Sequence, residues 1–501
     1  MMNKKGFALL TIILLISNVS LHAKLKMKEG SSKLEVNANA SFVAKTTVKN
    51  LTGQLVKDEG ASVSGENIEF NGGTFQDGEN KTQITGSLDS TNNEISLSGN
   101  QSLKVQSGKV SKGVAASGSG NRIEGLSTLD NDIVLQDQNT TVTLALAGQL
   151  LSNIVGNGGT IYLEQGLSFA DGKLITGDAT VKLNNQRLSL GSTDLTWSGN
   201  VVFDNAQDIS LNANLHLAST WTLAGASILN GNGNTLYLDA GGAIVIDEGA
   251  SLLIKDVIIN GVTDTNIRCL DAAGNITLQN VVWIQAGDYT FATGALEFKN
   301  SVEMTGDALF VYATNQTSTI AVYSDLMLDQ GFTFSYDPSI VAQNLLEFID
   351  QTSELLMNGA TLHTTVTGLV LTKGKMKVLD DSTLASEILI TSTMGDQIDT
   401  GITFGADLGA DDFVVSIPGN VTLHCSQGSL NYRNVNSASW NMANVSATLR
   451  MHSDTSLNLY QNLNLGAGFI VFEDATTLAY ASGKSLSGSI NPLGTLTRAE
   501  L

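Results

Sequence analysis

The chain has 501 residues and a formal net charge of −21, with 50 glycines, 3 prolines and only 15 % charged residues, against roughly 25 % in ordinary soluble proteins. Polarity rests on Asn, Ser and Thr, and a hydrophobic fraction of 42 % excludes wholesale disorder, because that much apolar surface offsets the entropy of ordering. Nucleic acid is excluded as a partner: the six arginines, Arg122, Arg187, Arg268, Arg433, Arg450 and Arg498, stand singly and build no basic stripe.

Residues 1–23 read as a secretory signal peptide, with Lys4 and Lys5 as a positive start, an apolar run from Phe7 to Ile16, and Ala23 as a small residue suited to cleavage. The run is shorter than the roughly 18 apolar residues of a membrane span, and no later stretch approaches that length, so no transmembrane segment is expected in the mature chain. The first cysteine is Cys269, which excludes lipid attachment at the cleavage point. Cleavage removes two lysines and no acid, taking the formal charge to −23. The mature chain is expected to be secreted, on the bacterial cell surface or in the periplasm, its acidity serving solubility.

Residues 24–120 are more polar and read as a β region or cap of irregular first coils, with the Ser/Gly stretch from Ala115 to Gly120 as a break. Residues 121–394 carry the repeats. Gly156 to Gly166 (GNGGTIYLEQG) recurs at Gly231 to Gly241 (GNGNTLYLDAG) with seven of eleven positions identical, and the offset of 75 residues fits three coils of about 25. An Asp or Asn then closes pairs of apolar residues two apart: Leu252, Ile254, Asp256; Ile276, Leu278, Asn280; Leu296, Phe298, Asn300. Alternate apolar residues point into a coil and stack on those above and below, while Asn and Gly accept the left-handed backbone of the corners. The one approach to helical spacing, Leu345 to Met357, lies between strand-like runs and carries Thr352 and Ser353 centrally, which favours strands. Residues 395–501 resume strand patterning in FVVSI, VTLHC and ATLRMH and read as continuation of the solenoid.

Ile228 to Leu238 (ILNGNGNTLYL) followed by Gly249 to Gly261 (GASLLIKDVIING) resembles the coil sequences of right-handed parallel β-helix proteins. These include the pectin-lyase-like superfamily and the passenger regions of bacterial autotransporter and polymorphic outer-membrane proteins. The likeness is clearest over 153–306 and implies an all-β, elongated right-handed parallel β-helix. Autotransporters of that type end in a membrane barrel, whereas this chain ends in LTRAEL, so self-anchoring by that route is not expected.

Hydrolases of the superfamily use clustered aspartates with a glycine-flanked His and an Arg-x-Lys element. Here the GADD string ending in Asp411 and Asp412 resembles one part, and the rest is missing, so a solvated turn is the expectation. The lyases use calcium-held substrate with a basic residue beside clustered acids, for which Arg268, near Asp264 and Asp271, is the candidate; a salt bridge is the plainer reading. Asp380 and Asp381 read as a turn. His424 and Cys425 are adjacent, but strand neighbours diverge, so no metal site and no cofactor are expected. Trp197, Trp221, Trp283 and Trp440 suit sugar stacking less well than burial. Cys269 and Cys425, 156 residues apart in a solenoid, are expected to be buried free thiols. The resulting expectation is a noncatalytic secreted or surface-associated β-solenoid, an adhesin or structural envelope component whose partner is a carbohydrate or another surface protein. The alternative is a polysaccharide lyase or glycoside hydrolase on the same scaffold, with Asp411, Asp412 and Arg268 as its catalytic candidates.

Overall fold

The computed structural model describes strand segments between 33 and 107 and, from 113 onward, every residue except 127, 128, 130, 265, 341–343, 366, 394 and 408–411. The export signal expected at 1–23 lies outside these residues, as does Asp411. The fold is an all-β parallel solenoid; among the described residues the strand pairings are parallel and the helical content is one 3-10 turn, Ser437–Ser439. No helix among them is long and apolar enough to cross a membrane. The chain divides into two compact units, 1–222 and 223–501, and the division falls within the stretch 121–394.

In the first unit, Asn121–Leu126, Thr141–Ala147, Thr160–Leu163, Ala179–Lys182 and Val201–Asp204 form one ladder. Its register sets Val142, Ile161, Val181 and Phe203 above one another, all fully buried. A second ladder runs through Ile95–Ser98, Val114–Ser117, Ile133–Leu135, Ile154–Val155 and Ile175–Thr176. Val114–Ser117 is paired on both sides, so the ladder continues through the Ser/Gly stretch, where Gly118 and Gly120 take positive φ as a corner. Trp197, Trp221 and Phe203 pack edge to face in the core, with Trp197 Nε1 donating to the Gly199 carbonyl (2.9 Å). Each such side chain withdrawn from water contributes about 1.5–3 kcal/mol, available only because the coils above and below cover it.

The second unit shows the Asx-terminated pattern directly. Ser251–Val262, Asn275–Gln285 and Ala295–Thr305 lie in register, stacking Leu252 on Ile276 and Leu296, and Ile254 on Leu278 and Phe298, all inward and buried. The strands bend at Asp256, Asn280 and Asn300, whose φ values are 51°, 54° and 55°. Among the described residues, nine of the thirteen non-glycine residues with positive φ are Asn, which tolerates the left-handed region best of the residues bearing a β-carbon. Asn280 Nδ2 also donates to Asp256 Oδ1 of the preceding coil (2.8 Å). On a neighbouring sheet, Tyr289, Phe310 and Phe334 stack at 5.2–5.4 Å, and Tyr312 lies nearly flat on Tyr336.

Three features depart from a regular coil. The stretch with helical spacing forms strands Leu346–Phe348 and Glu354–Asn358, because its central polar residues make a corner: Asp350 Oδ1 accepts from the Thr352 N–H (2.7 Å) and Ser353 Oγ donates to the Ile320 carbonyl (3.0 Å). The two GNGx copies share a turn and not a position in the coil. Both have left-handed Asn-Gly pairs, at 157–158 and 232–233. The first joins strands of two different sheets, whereas the second joins Ala226–Asn230 to Thr235–Leu238, both paired with Ser251–Val262. In the third feature, strand order is inverted: Ile402–Phe404 lies between Leu369–Leu371 and Ile388–Ile390, parallel to both. Those three strands are buried on both faces, and the Ile398 N–H donates to Thr403 Oγ1 (3.3 Å) as the intervening loop returns.

Candidate functional site

Arg268 is exposed on Ile267–Cys269, which pairs with Ala243–Ile246, while Asp412 precedes Val414–Ser416, which pairs with Lys375–Asp380. The acids flanking Arg268 hold the backbone: Asp264 Oδ1 accepts from the Thr290 N–H (3.0 Å), and Asp271 from those of Gly249 (3.1 Å) and Gly274 (3.0 Å). Asp412 is not in a solvated turn. It is 9 % exposed, and its Oδ2 has no hydrogen-bond partner among the described residues. The cause is Phe413, whose ring stacks on Phe404 (5.3 Å) and meets Phe348 edge-on (5.4 Å), drawing the segment inward. Asp380 and Asp381 do form a turn, Asp380 Oδ1 accepting from the Asp381 N–H (2.8 Å). All four tryptophans are buried, which removes them as sugar platforms. Cys269 and Cys425 are buried and free, and burial pushes each thiol up to about 12, Asp271 adding to the effect at Cys269.

His424 and Cys425 diverge as strand neighbours must, the thiol inward and the imidazole outward. Parallel register instead brings His424 to the next coil. It pairs with Arg450, and His452 follows two residues on, its N–H donating to the Cys425 carbonyl (3.1 Å). His424 Nδ1 and His452 Nε2 are 2.8 Å apart, while His452 Nδ1 faces Glu473 Oε2 at 3.3 Å and Arg450 Nε donates to Glu473 Oε1 at 2.8 Å. Burial, then the adjoining His452, holds the His424 imidazole below its ordinary value. Glu473 stays below the usual carboxylate range: burial acts to raise it, and the Arg450 guanidinium and Ser453 N–H outweigh that. The partnership spans 28 residues, longer than the 20- and 24-residue spacings of the Asx corners, and was invisible to motif reading.

The outer face of the long-strand sheet carries a column formed by Ile258, Val282, Glu303, Met327, Leu356 and Lys377. Partial burial raises the Glu303 carboxyl, with Asp329 contributing, and burial likewise raises Asp325. Glu354 closes this face by pairing with Lys375 (2.6 Å) and Lys377 (2.5 Å). At the corner between Ser318–Ile320 and Asp325–Leu328 of the same sheet, Tyr323 stands outward, 80 % exposed with φ +54°. Its N–H donates to Thr352 Oγ1 of the next coil (2.7 Å), and Val322 and Ile349, 44 % and 42 % exposed, lie at the same pair of corners. Among the described residues Tyr323 is the sole aromatic with a left-handed backbone.

Comparison of the chain with protein-family models, with curated proteins and with solved structures returned no match.

Proposed function

We propose that this chain is a noncatalytic, right-handed β-solenoid, exported by a cleaved signal peptide, that acts as an adhesin or structural envelope component and binds a carbohydrate or another surface protein. The right hand follows from the near-universal preference of parallel crossovers, and the coil sequences at 228–261 resemble those of pectin-lyase-like and autotransporter-passenger proteins.

The observation that carries the reading is Tyr323. A β-carbon in the left-handed region costs about 1–2 kcal/mol, and the corners at Asp256, Asn280 and Asn300 avoid most of that by using Asx. A tyrosine held there, beside exposed Val322 and Ile349, offers an aromatic and aliphatic contact surface that the packing of the coil does not require. The mature chain and its Tyr323→Asn variant, applied to arrays of glycans and host-surface proteins, test the reading. Retained wild-type binding that the variant loses supports it; binding indifferent to Tyr323 removes its basis.

One observation favours the enzymatic alternative, the buried Asp412 Oδ2 without a partner among the described residues. Release of unsaturated or reducing ends from acidic polysaccharides, abolished in Asp412→Ala and Arg268→Ala, would establish a lyase or hydrolase instead.

A further inference from the structure

We infer that His424 and His452 form an exchangeable binding site for a divalent transition-metal ion, Cu(II) before the others. Two nitrogen ligands at about 2.0–2.1 Å from one ion and at right angles around it lie about 2.9 Å apart, the bite of a tetragonal centre. His424 Nδ1 and His452 Nε2 are separated by 2.8 Å, with ring centroids 5.1 Å apart and planes tilted by 34°. The parallel ladder brings the two histidines together, since Thr422–Cys425 and Thr448–Met451 are in register over four residues and the His452 N–H donates to the Cys425 carbonyl.

A second observation points the same way. Metal-binding imidazoles commonly turn their other nitrogen to a carboxylate, which fixes the tautomer and raises ligand basicity. His452 is so placed: Nδ1 lies 3.3 Å from Glu473 Oε2, which leaves Nε2, the nitrogen facing His424, to coordinate. Glu473 is itself anchored by Arg450 Nε (2.8 Å) and by the Ser453 N–H (3.2 Å). Asp381, whose Oδ1 accepts from the Thr422 N–H (2.6 Å), lies beside the same strand, so two carboxylates and one guanidinium surround the rings and leave the surroundings net negative. The His452 side chain is 33 % exposed, which gives an ion a route in.

Among the described residues no group of three or more His, Cys, Asp or Glu is placed to hold a metal. The protein therefore supplies two donors and water the rest. That is too few for a structural zinc site and enough for a labile one in which the divalent series orders affinity, Cu(II) above Ni(II) and Zn(II).

The test titrates the chelator-stripped full chain with Cu(II) against glycine as competitor, following the visible d–d band and nitrogen hyperfine splitting by electron paramagnetic resonance. One Cu(II) per chain with two imidazole donors is expected. His424→Gln and His452→Gln should each abolish the two-nitrogen signature, and Glu473→Gln should weaken binding by about 10- to 100-fold. His363→Gln, whose imidazole meets Ser335 (3.2 Å), should leave it unchanged. Unaltered far-ultraviolet dichroism shows that the variants fold; should one fail to, the Glu473→Gln shift decides. A Cu(II) signature that survives both histidine variants, or a wild type that yields all its copper to glycine, overturns the site and leaves a hydrogen-bonded imidazole pair.

Discussion

Replacing Tyr323 with Asn should stabilise the second unit while removing an aromatic ring from its surface. Left-handed backbone costs a residue with a β-carbon about 1–2 kcal/mol, and Asn recovers most of that through its tolerance of the region. Against this stands the covered fifth of the residue, about 40 Å2 if all of it fell on the roughly 200 Å2 an aromatic side chain presents, or at most ~1 kcal/mol at 25 cal/mol per Å2, of which Asn retains a part. The backbone bond from the Tyr323 N–H to Thr352 Oγ1 survives the change, so the corner keeps its shape. The net gain is about 0.5–1 kcal/mol. Equilibrium urea unfolding, read by far-ultraviolet dichroism together with hydrogen exchange over 318–328, measures it. The reverse exchange at the corner of the preceding coil, Asn300→Tyr, should lower stability by about 1–2 kcal/mol. A lower unfolding midpoint for Tyr323→Asn would mean that the ring contributes packing that outweighs the backbone strain.

Other substitutions test the coil itself. Leu278→Ala opens a cavity between Ile254 and Phe298 and should destabilise by about 2–5 kcal/mol in thermal or urea unfolding, whereas Gln279→Ala, on the outward side of the same strand, should change stability by about 0.5 kcal/mol or less. Asn280→Ala loses the bond to Asp256 and strains the corner, for about 2 kcal/mol, while Asn280→Gly should cost only the bond, about 1 kcal/mol. Both thiols should resist alkylation in the native chain and react fully in denaturant, with no disulfide in the mass of the intact protein. Because burial raises their folded-state pKa, they favour folding below pH ~9 and this contribution is lost as pH rises towards about 12, so stability should decline across that alkaline range.

The inward columns were legible because side-chain period and chemistry coincide: Leu252 with Ile254 and Ile276 with Leu278 alternate strictly, and Asp256 and Asn280 mark the bends by their tolerance of positive φ. Local spacing carried less where corners were irregular. Thr352 and Ser353, which interrupt the helical pattern of 345–357, turn out to bridge coils, and that bridging depends on the Ile320 carbonyl some thirty residues away. The GNGx repeat encoded a turn faithfully without encoding which strands it joins. Asp412 looked solvated because a run of Gly, Ala and Asp is polar, and its burial is imposed by the ring that follows it. The pairing of His424 with His452 needed the register of two coils, which composition does not carry.

The inverted strand order around Ile402–Phe404 bears on how the array assembles. A solenoid winding up from its N-terminal end would add each rung to the one just finished, yet Ile388–Ile390 precedes in the chain the strand that must separate it from Leu369–Leu371. The growing end has to wait with a vacant slot until the later segment slides in, and only then does Ser429–Tyr432 find a completed ledge on Ile388–Ile390. Pulse-labelled hydrogen exchange during refolding should therefore show 388–390 gaining protection no earlier than 402–404.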